Sequence, residues 1–173
     1  MKTIFCGLVL SAASTMLIGC GTSGDATSVA PVSIDGSRFL LAEEPDGAVG
    51  VIAVRESAKN GDPIVVVGRI GGASNPWVEG RAAFTLLDAS MSVVANGEDD
   101  ADGELCMDDC CAGARGTCTT LVKVVDVDGR LVAADARQLL GITDSDTLVI
   151  RGKASKDESG NFVVLADGVH VRR

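Results

Sequence analysis

Aromatic side chains and histidine are scarce in this chain. Its 173 residues include no tyrosine, one tryptophan, four phenylalanines and one histidine. A single imidazole, that of His170, makes a poor metal site alone, and no serine or cysteine stands at a spacing that indicates a catalytic partner for it. We therefore interpret His170 as structural and expect Val, Ile, Leu and Ala to supply most of the hydrophobic core.

Positive charge is also in short supply. The chain has 15 basic and 24 acidic side chains, a formal net charge of −9, and no run of lysines or arginines. Nucleic acid binding needs basic side chains that displace counterions from phosphates, and single strands also need aromatic rings on which bases stack. We expect no nucleic-acid partner and no electrostatic attachment to anionic lipid headgroups.

Patterns of catalytic residues are missing as well. The chain has no glycine-rich phosphate loop, nucleophile elbow or paired-acid signature, and Gly71-Gly72 lacks the lysine and the following helix that phosphate binding needs. We interpret the scattered arginines as solvated faces of the domain; these are Arg69, Arg81, Arg151, Arg172 and Arg173. The sequence predicts that the protein is not an enzyme.

The N-terminal segment has an apolar run that is too short to span a membrane. Lys2 precedes an apolar stretch from Ile4 to Ile18, which serine and threonine interrupt, whereas a spanning helix needs about 20 apolar residues. A positive start, a short apolar stretch and small residues at its end predict a secretory signal. The segment ends in Leu17-Ile18-Gly19-Cys20, which resembles the lipobox of bacterial lipoproteins.

The lipobox resemblance implies that residues 1–19 are removed and that Cys20 becomes the lipidated first residue. Since each buried CH₂ contributes about 0.8 kcal/mol, two or more acyl chains would hold the protein at a membrane. We expect an exported cell-envelope protein, with Gly21 favouring the outer membrane and the domain in the periplasm or outside. The alternative is an ordinary cleaved signal with a chance cysteine at position 20.

The remaining 154 residues suit one domain and a tether. Loss of Lys2 leaves 14 basic and 24 acidic side chains, so the net charge of the mature chain becomes −10. Residues 20–38 are rich in small and polar residues, which predicts a flexible tether. Residues 39–173 are expected to form the domain.

Runs of β-branched and aliphatic residues between turn signals predict five strands in that domain. They cover residues 64–70, 82–88, 120–127, 147–154 and 162–171, the last with a bulge at Asp167-Gly168. Helices are expected at 48–60, although its β-branched residues also favour a strand, and at 133–140, which Gly141 ends. The pattern predicts a mainly β fold, a small five-stranded β-barrel with one or two short helices.

The order of these elements resembles the bacterial OB-fold family of periplasmic proteins. The stretches that carry the resemblance are 60–70, 84–90 and 146–157, and with the last strand it spans roughly residues 49–172. It implies an exported, OB-like barrel without a known catalytic site, in a family loosely tied to envelope stress and ligand binding. The chain departs from the family in an acidic, cysteine-bearing insertion at 91–119.

Four cysteines in that insertion are candidates for disulfide bonds or a metal site. They are Cys106, Cys110, Cys111 and Cys118. An even number in an exported chain favours two disulfides, and a bond between the neighbours Cys110 and Cys111 would be strained, which leaves two pairings open. The alternative is that the cysteines bind a zinc ion, although the adjacent Cys110 and Cys111 fit the usual Cys-x2–4-Cys spacing of zinc ligands poorly.

The acidic run before these cysteines is a near-match to a calcium-binding loop. Oxygen donors stand at loop positions 1, 3, 5 and 12, and Gly103 stands at position 6; the donors are Glu98, Asp100, Asp102 and Asp109. Two of the four differ from the usual residue type, and no flanking helix pair is evident. A solvated acidic loop is the simpler interpretation.

Trp77, the only tryptophan, stands in the loop after Pro76 and is the candidate ligand contact. The alternative is that it packs over one end of the barrel.

Taken together, these features lead us to expect a non-catalytic, lipid-anchored envelope protein whose OB-like domain binds an unknown protein, glycan or small ligand, without a cofactor. The alternative is a metal-binding envelope protein that uses the cysteine cluster and the acidic loop.

Overall fold

The computed structural model describes residues 34–91, 116–144 and 146–173. The predicted signal, Cys20 and most of the tether lie outside these ranges, and so does most of the predicted insertion. Within the described ranges, no helix is long and apolar enough to cross a membrane.

The described domain contains six strands, and its helices are short. A 3₁₀ helix, Ser37–Phe39, comes first. The other elements, in chain order, are β1 (Val49–Gly50), α1 (Val51–Ser57), β2 (Pro63–Ile70), β3 (Ala83–Asp88), β4 (Thr119–Val124), α2 (Ala136–Leu140), β5 (Thr147–Lys156) and β6 (Phe162–Arg172).

Five of these strands close into a barrel. The order around it is β2-β3-β4-β6-β5, and a β2–β5 pairing closes the ring. Strands β4 and β6 are parallel, and the other neighbouring pairs in the ring are antiparallel. The short strand β1 adds to β2 in parallel. The predicted OB-like, mainly β five-stranded barrel is thus confirmed.

Strand β2 makes closure possible because it pairs on two sides. Pro63 to Arg69 pair with β5, and Gly68 to Ile70 pair with β3. A Cβ at Gly68 would lie 2.5 Å from the backbone oxygen of Leu87, so only glycine allows β3 to approach this closely. Closure leaves these strands few unpaired edges.

The predicted bulge in the last strand is present. Arg151 pairs with Gly168 and the next residue, Gly152, pairs with Ala166, so Asp167 is the extra residue. Before the bulge Val164 and Ala166 point into the core, and after it Val169 does. The extra residue therefore moves the inward positions from even to odd numbers, which keeps aliphatic side chains in the core at both ends of β6.

Aliphatic side chains supply most of the core, with three phenylalanines at Phe39, Phe84 and Phe162. Ile34 and Phe39 belong to the same packing, so contact with the barrel begins inside the stretch whose composition predicts a tether. The close approach at Gly36 explains this, because a Cβ there would lie 1.7 Å from the backbone oxygen of Leu139 in α2.

The helix predicted at 48–60 is shorter than expected. Val49 and Gly50 form strand β1, which pairs with β2, and α1 therefore covers only seven residues, Val51–Ser57. The β-branched residues that favour a strand are therefore divided between the two conformations. Helix α2 begins after Asp135, whose side chain accepts a hydrogen bond from the Arg137 amide, and it ends at Gly141 with φ of 63°.

Candidate functional site

Trp77 lies at one end of the barrel, in the loop between β2 and β3. Its backbone forms a β-bridge with Phe84, and the two ring centroids are 6.0 Å apart at an interplanar angle of 54°. The indole is half-buried and packs against the core. The structure therefore places Trp77 over the barrel end while leaving part of the ring in contact with solvent.

The rest of the indole contacts charged groups near α2. Its Nε1–H donates a hydrogen bond to Oδ1 of Asp144 at 2.6 Å. The guanidinium carbon of Arg137 lies 5.5 Å from the ring centroid of Trp77, a distance at which a cation is attracted to the π face. We call Trp77, Asp135, Arg137 and Asp144 the tryptophan cluster.

Asp135 holds Arg137 in place over the ring. The guanidinium donates from Nε to Oδ1 at 3.0 Å and from Nη2 to Oδ2 at 2.7 Å, a two-point geometry that fixes its plane. The hydrogen bond to Arg137 is the main reason that the pKa of Asp135 lies below its usual value, and the same bond raises the pKa of Arg137. Both groups are thus charged across the physiological pH range.

The tryptophan cluster is suited to binding rather than to catalysis. It combines a partly exposed aromatic surface, a fixed guanidinium and two carboxylates, which is the mixture of apolar body and oriented polar groups found in small-molecule and protein contact sites. Because its members already hold one another, a ligand would meet a preorganised surface and little ordering entropy would be lost on binding.

Replacement of Asp144 with alanine is expected to shift the fluorescence emission of Trp77 to longer wavelength. The indole Nε1–H would lose its partner and the ring would become more exposed, while the loss of stability stays below about 1 kcal/mol because the bond lies at the surface. Since Trp77 is the only tryptophan, the emission spectrum reports on this ring alone. Glu79→Ala is the control, because it also removes a nearby carboxylate. If the emission spectra of Asp144→Ala and Glu79→Ala are the same, the assigned contact between Asp144 and Trp77 is contradicted.

The predicted cysteine and calcium sites lie almost entirely outside the described residues. Cys118 is 1% exposed, just before β4. The other candidates lie outside; they are Cys106, Cys110, Cys111, Glu98, Asp100, Asp102 and Asp109. In the ranges that the structure describes, no group of three or more His, Cys, Asp or Glu side chains could hold a metal ion. These sites stay predictions.

His170 fastens the N-terminal segment to β6. Its Nδ1 lies 3.1 Å from the backbone oxygen of Leu41, and the Leu41 amide donates a hydrogen bond to the backbone oxygen of Val169 at 2.8 Å.

Two of the arginines that the sequence analysis interprets as solvated are exposed but form ion pairs. Arg172 makes a two-point contact with Glu44, and Nε of Arg151 lies 2.7 Å from Oδ1 of Asp167.

Sequence reasoning missed Asp88, a carboxylate only 5% exposed at the end of β3. Its Oδ2 accepts a hydrogen bond from the Ile52 amide at 2.8 Å, and its Oδ1 accepts from the Ser90 amide at 2.8 Å and the Ser90 hydroxyl at 2.6 Å. Asp88 thereby caps the first turn of α1 from another part of the chain. The Asp-Ala-Ser sequence signals the local bond to Ser90, but nothing in it points to Ile52.

Two concave regions lie away from the tryptophan cluster. One has a volume of about 180 Å³ and is lined by Arg38, Phe39, Val125, Asp126, Val127 and Asp167. The other is open and polar, about 480 Å³, between the end of α1 and the β5–β6 turn, with Lys59 and Lys156 among its lining residues.

Comparison with protein-family models and with curated proteins finds no match to this chain.

Proposed function

We propose that this chain is a lipid-anchored protein of the bacterial cell envelope whose OB-like barrel is a non-catalytic binding module. The single observation that carries the binding role is the tryptophan cluster: the one tryptophan of the chain is held half-exposed between Arg137 and Asp144 at the end of a closed barrel. The anchor and the export route are supported by the Leu17-Ile18-Gly19-Cys20 pattern.

The contacts of the reactive side chains support binding over catalysis. His170 is engaged with the carbonyl of Leu41, and the buried carboxylate of Asp88 is taken up by hydrogen bonds that cap α1. A general base needs a free lone pair within reach of a substrate. Asp88 does not meet this requirement, because its carboxylate is buried and already accepts hydrogen bonds from Ile52 and Ser90.

The ligand that fits the tryptophan cluster is a small polar molecule, a glycan or a protein surface. Each of these can place an apolar patch on the indole and polar groups against the guanidinium and the carboxylates. Anchoring through Cys20 would keep this surface at the membrane, where envelope glycans and proteins are concentrated.

Replacement of Cys20 with alanine is expected to move the protein from the membrane fraction to the soluble fraction of a bacterium that processes lipoproteins. The variant loses the sulfur that would carry the acyl chains, and with it the apolar burial that holds the protein to lipid. Fractionation followed by immunodetection measures the effect. Cys6→Ala is the matched control, since Cys6 lies within the predicted signal, and it should stay at the membrane. Equal distribution of both variants would contradict the anchor.

A further inference from the structure

The outer face of strands β4, β6 and β5 presents lysines on both sides of an aliphatic strip. Lys123 pairs in register with Leu165, which pairs on its other side with Lys153. The next row along the strands places Leu121 opposite Val163. Because side chains alternate across a sheet, these five share the surface that points away from the core, and we call them the lysine face.

The exposure of these side chains agrees with the register. Lys153 is exposed, and the other four members of the lysine face are half-buried, whereas the intervening Val122, Val124 and Val164 are fully buried. The two lysines are separated by two strand spacings, or about 10 Å. Aliphatic carbon therefore lies between two cationic groups.

The two lysines of the lysine face lack acidic partners among the residues that the structure describes. Within the described ranges, neither Lys123 nor Lys153 forms an ion pair or a side-chain hydrogen bond. The nearby carboxylates are already engaged, Asp167 by Arg151 and Asp126 by Arg130. These two lysines are thus unpaired cations on a mature chain with a net charge of −10.

The lysine face continues into the smaller of the two concave regions. Val125 comes directly after β4, two positions beyond Lys123, and Asp167 lies two positions beyond Leu165 on β6. Both line the 180 Å³ pocket, together with Phe39 and Val127. Val127 is 97% exposed, and Arg38 adds a cation at the rim, where its guanidinium carbon lies 4.5 Å from the Phe39 ring centroid.

We propose that the lysine face and this pocket dock an acidic segment of a partner protein. The segment places an aliphatic side chain in the pocket and carboxylates beside Lys123 and Lys153. Charge complementarity selects this occupant, because the apolar lining and the unpaired cations need a partner that is aliphatic and anionic together. The inference rests on the proposed role of the barrel as a binding module. It adds a second binding surface to the tryptophan cluster.

Other anionic partners fit this surface less well. A single-stranded nucleic acid needs aromatic rings for its bases, and the lysine face is aliphatic. A membrane is a plane of continuous negative charge, which the strongly acidic remainder of the domain would repel. A short peptide segment carries its charge locally and meets only the lysine face.

The test measures binding of a fluorescein-labelled synthetic peptide of alternating glutamates and leucines to the full-length protein in non-ionic detergent, by fluorescence polarisation. The wild-type protein is expected to bind this peptide, to bind it more weakly as salt rises, and to ignore a peptide with glutamine in place of glutamate. Lys123→Glu/Lys153→Glu should weaken binding by about tenfold or more. Val127→Asp should also weaken it, and its exposed position leaves the fold intact.

Arg69→Glu/Arg173→Glu is the matched control, with the same change of net charge away from the lysine face. It should bind the acidic peptide with an affinity within about twofold of that of the wild type.

If the glutamate substitutions unfold the protein, as circular dichroism would show, Lys123→Gln/Lys153→Gln replaces them and should also weaken binding. Failure of the wild type to bind, equal losses in both double variants, or a preference for phosphatidylglycerol vesicles over the peptide would overturn the proposal. Fractionation of the Cys20 and Cys6 variants tests the lipid anchor independently of these lysines, so the anchor and the docking surface can fail separately.

Discussion

Replacement of Asp88 with alanine is expected to lower the free energy of unfolding by about 3 kcal/mol. The Asp88 carboxylate is 5% exposed and accepts three hydrogen bonds, one from the Ile52 amide and two from Ser90. Alanine would leave the Ile52 amide without its partner at the start of α1 and a cavity beside β3. Urea denaturation monitored by circular dichroism measures the change.

Ser90→Ala is the control for this prediction. It removes one of the three donors but keeps the contact between Asp88 and Ile52, so it should lower the stability by about 1 kcal/mol. Losses of equal size in the two variants would contradict the capping role of Asp88.

The same carboxylate makes stability depend on pH in a defined direction. Burial raises the pKa of Asp88, but the hydrogen bonds from Ser90 and from the amides of α1 outweigh it, so the pKa lies below its usual value. A lowered pKa in the folded state contributes stability that is present above the unfolded pKa, about 4, and is lost as pH falls through the folded pKa. Asp88→Ala should therefore lose less stability than the wild type on acidification below pH 4.

Replacement of Gly152 with alanine is expected to destabilise the barrel by about 4 kcal/mol or to prevent folding. A Cβ at this position would lie 2.1 Å from the backbone oxygen of Leu165 and 2.9 Å from Cα of Ala166. The side chain would separate β5 from β6 beside the bulge. Thermal unfolding and the soluble yield measure the effect.

Gly160→Ala tests whether this loss comes from the close approach of the strands. Gly160 has a φ of 83° but its Cβ would meet nothing within 4 Å. Alanine there strains only the turn, by about 1 kcal/mol. A Gly152→Ala protein that is as stable as Gly160→Ala would contradict the packing assigned to β5 and β6.

Local patterns were sufficient to predict the barrel strands. The β-branched runs placed each strand within a few residues, and the sequence around Asp167-Gly168 indicated the bulge. The helix expected at 48–60 was too long because Val49 and Gly50 join β2, a pairing with residues farther along the chain. Propensity alone does not decide such a competition between a helix and a long-range strand pair.

The candidate sites depended on contacts that no local pattern contains. Trp77 was a candidate from the sequence, but its partner Asp144 lies 67 positions away, in the segment that follows α2. The lysine face likewise needs the register of three strands, since Lys123 and Lys153 become neighbours only through Leu165. Side chains that look scattered along the chain therefore form sites once the strands are paired.

The intact mass of the protein extracted from bacterial membranes tests the central claim most directly. A lipid-anchored envelope protein should begin at Cys20, lack residues 1–19 and carry the added mass of acyl chains on that cysteine. Recovery of the full-length, unacylated chain from the cytosol would contradict the account.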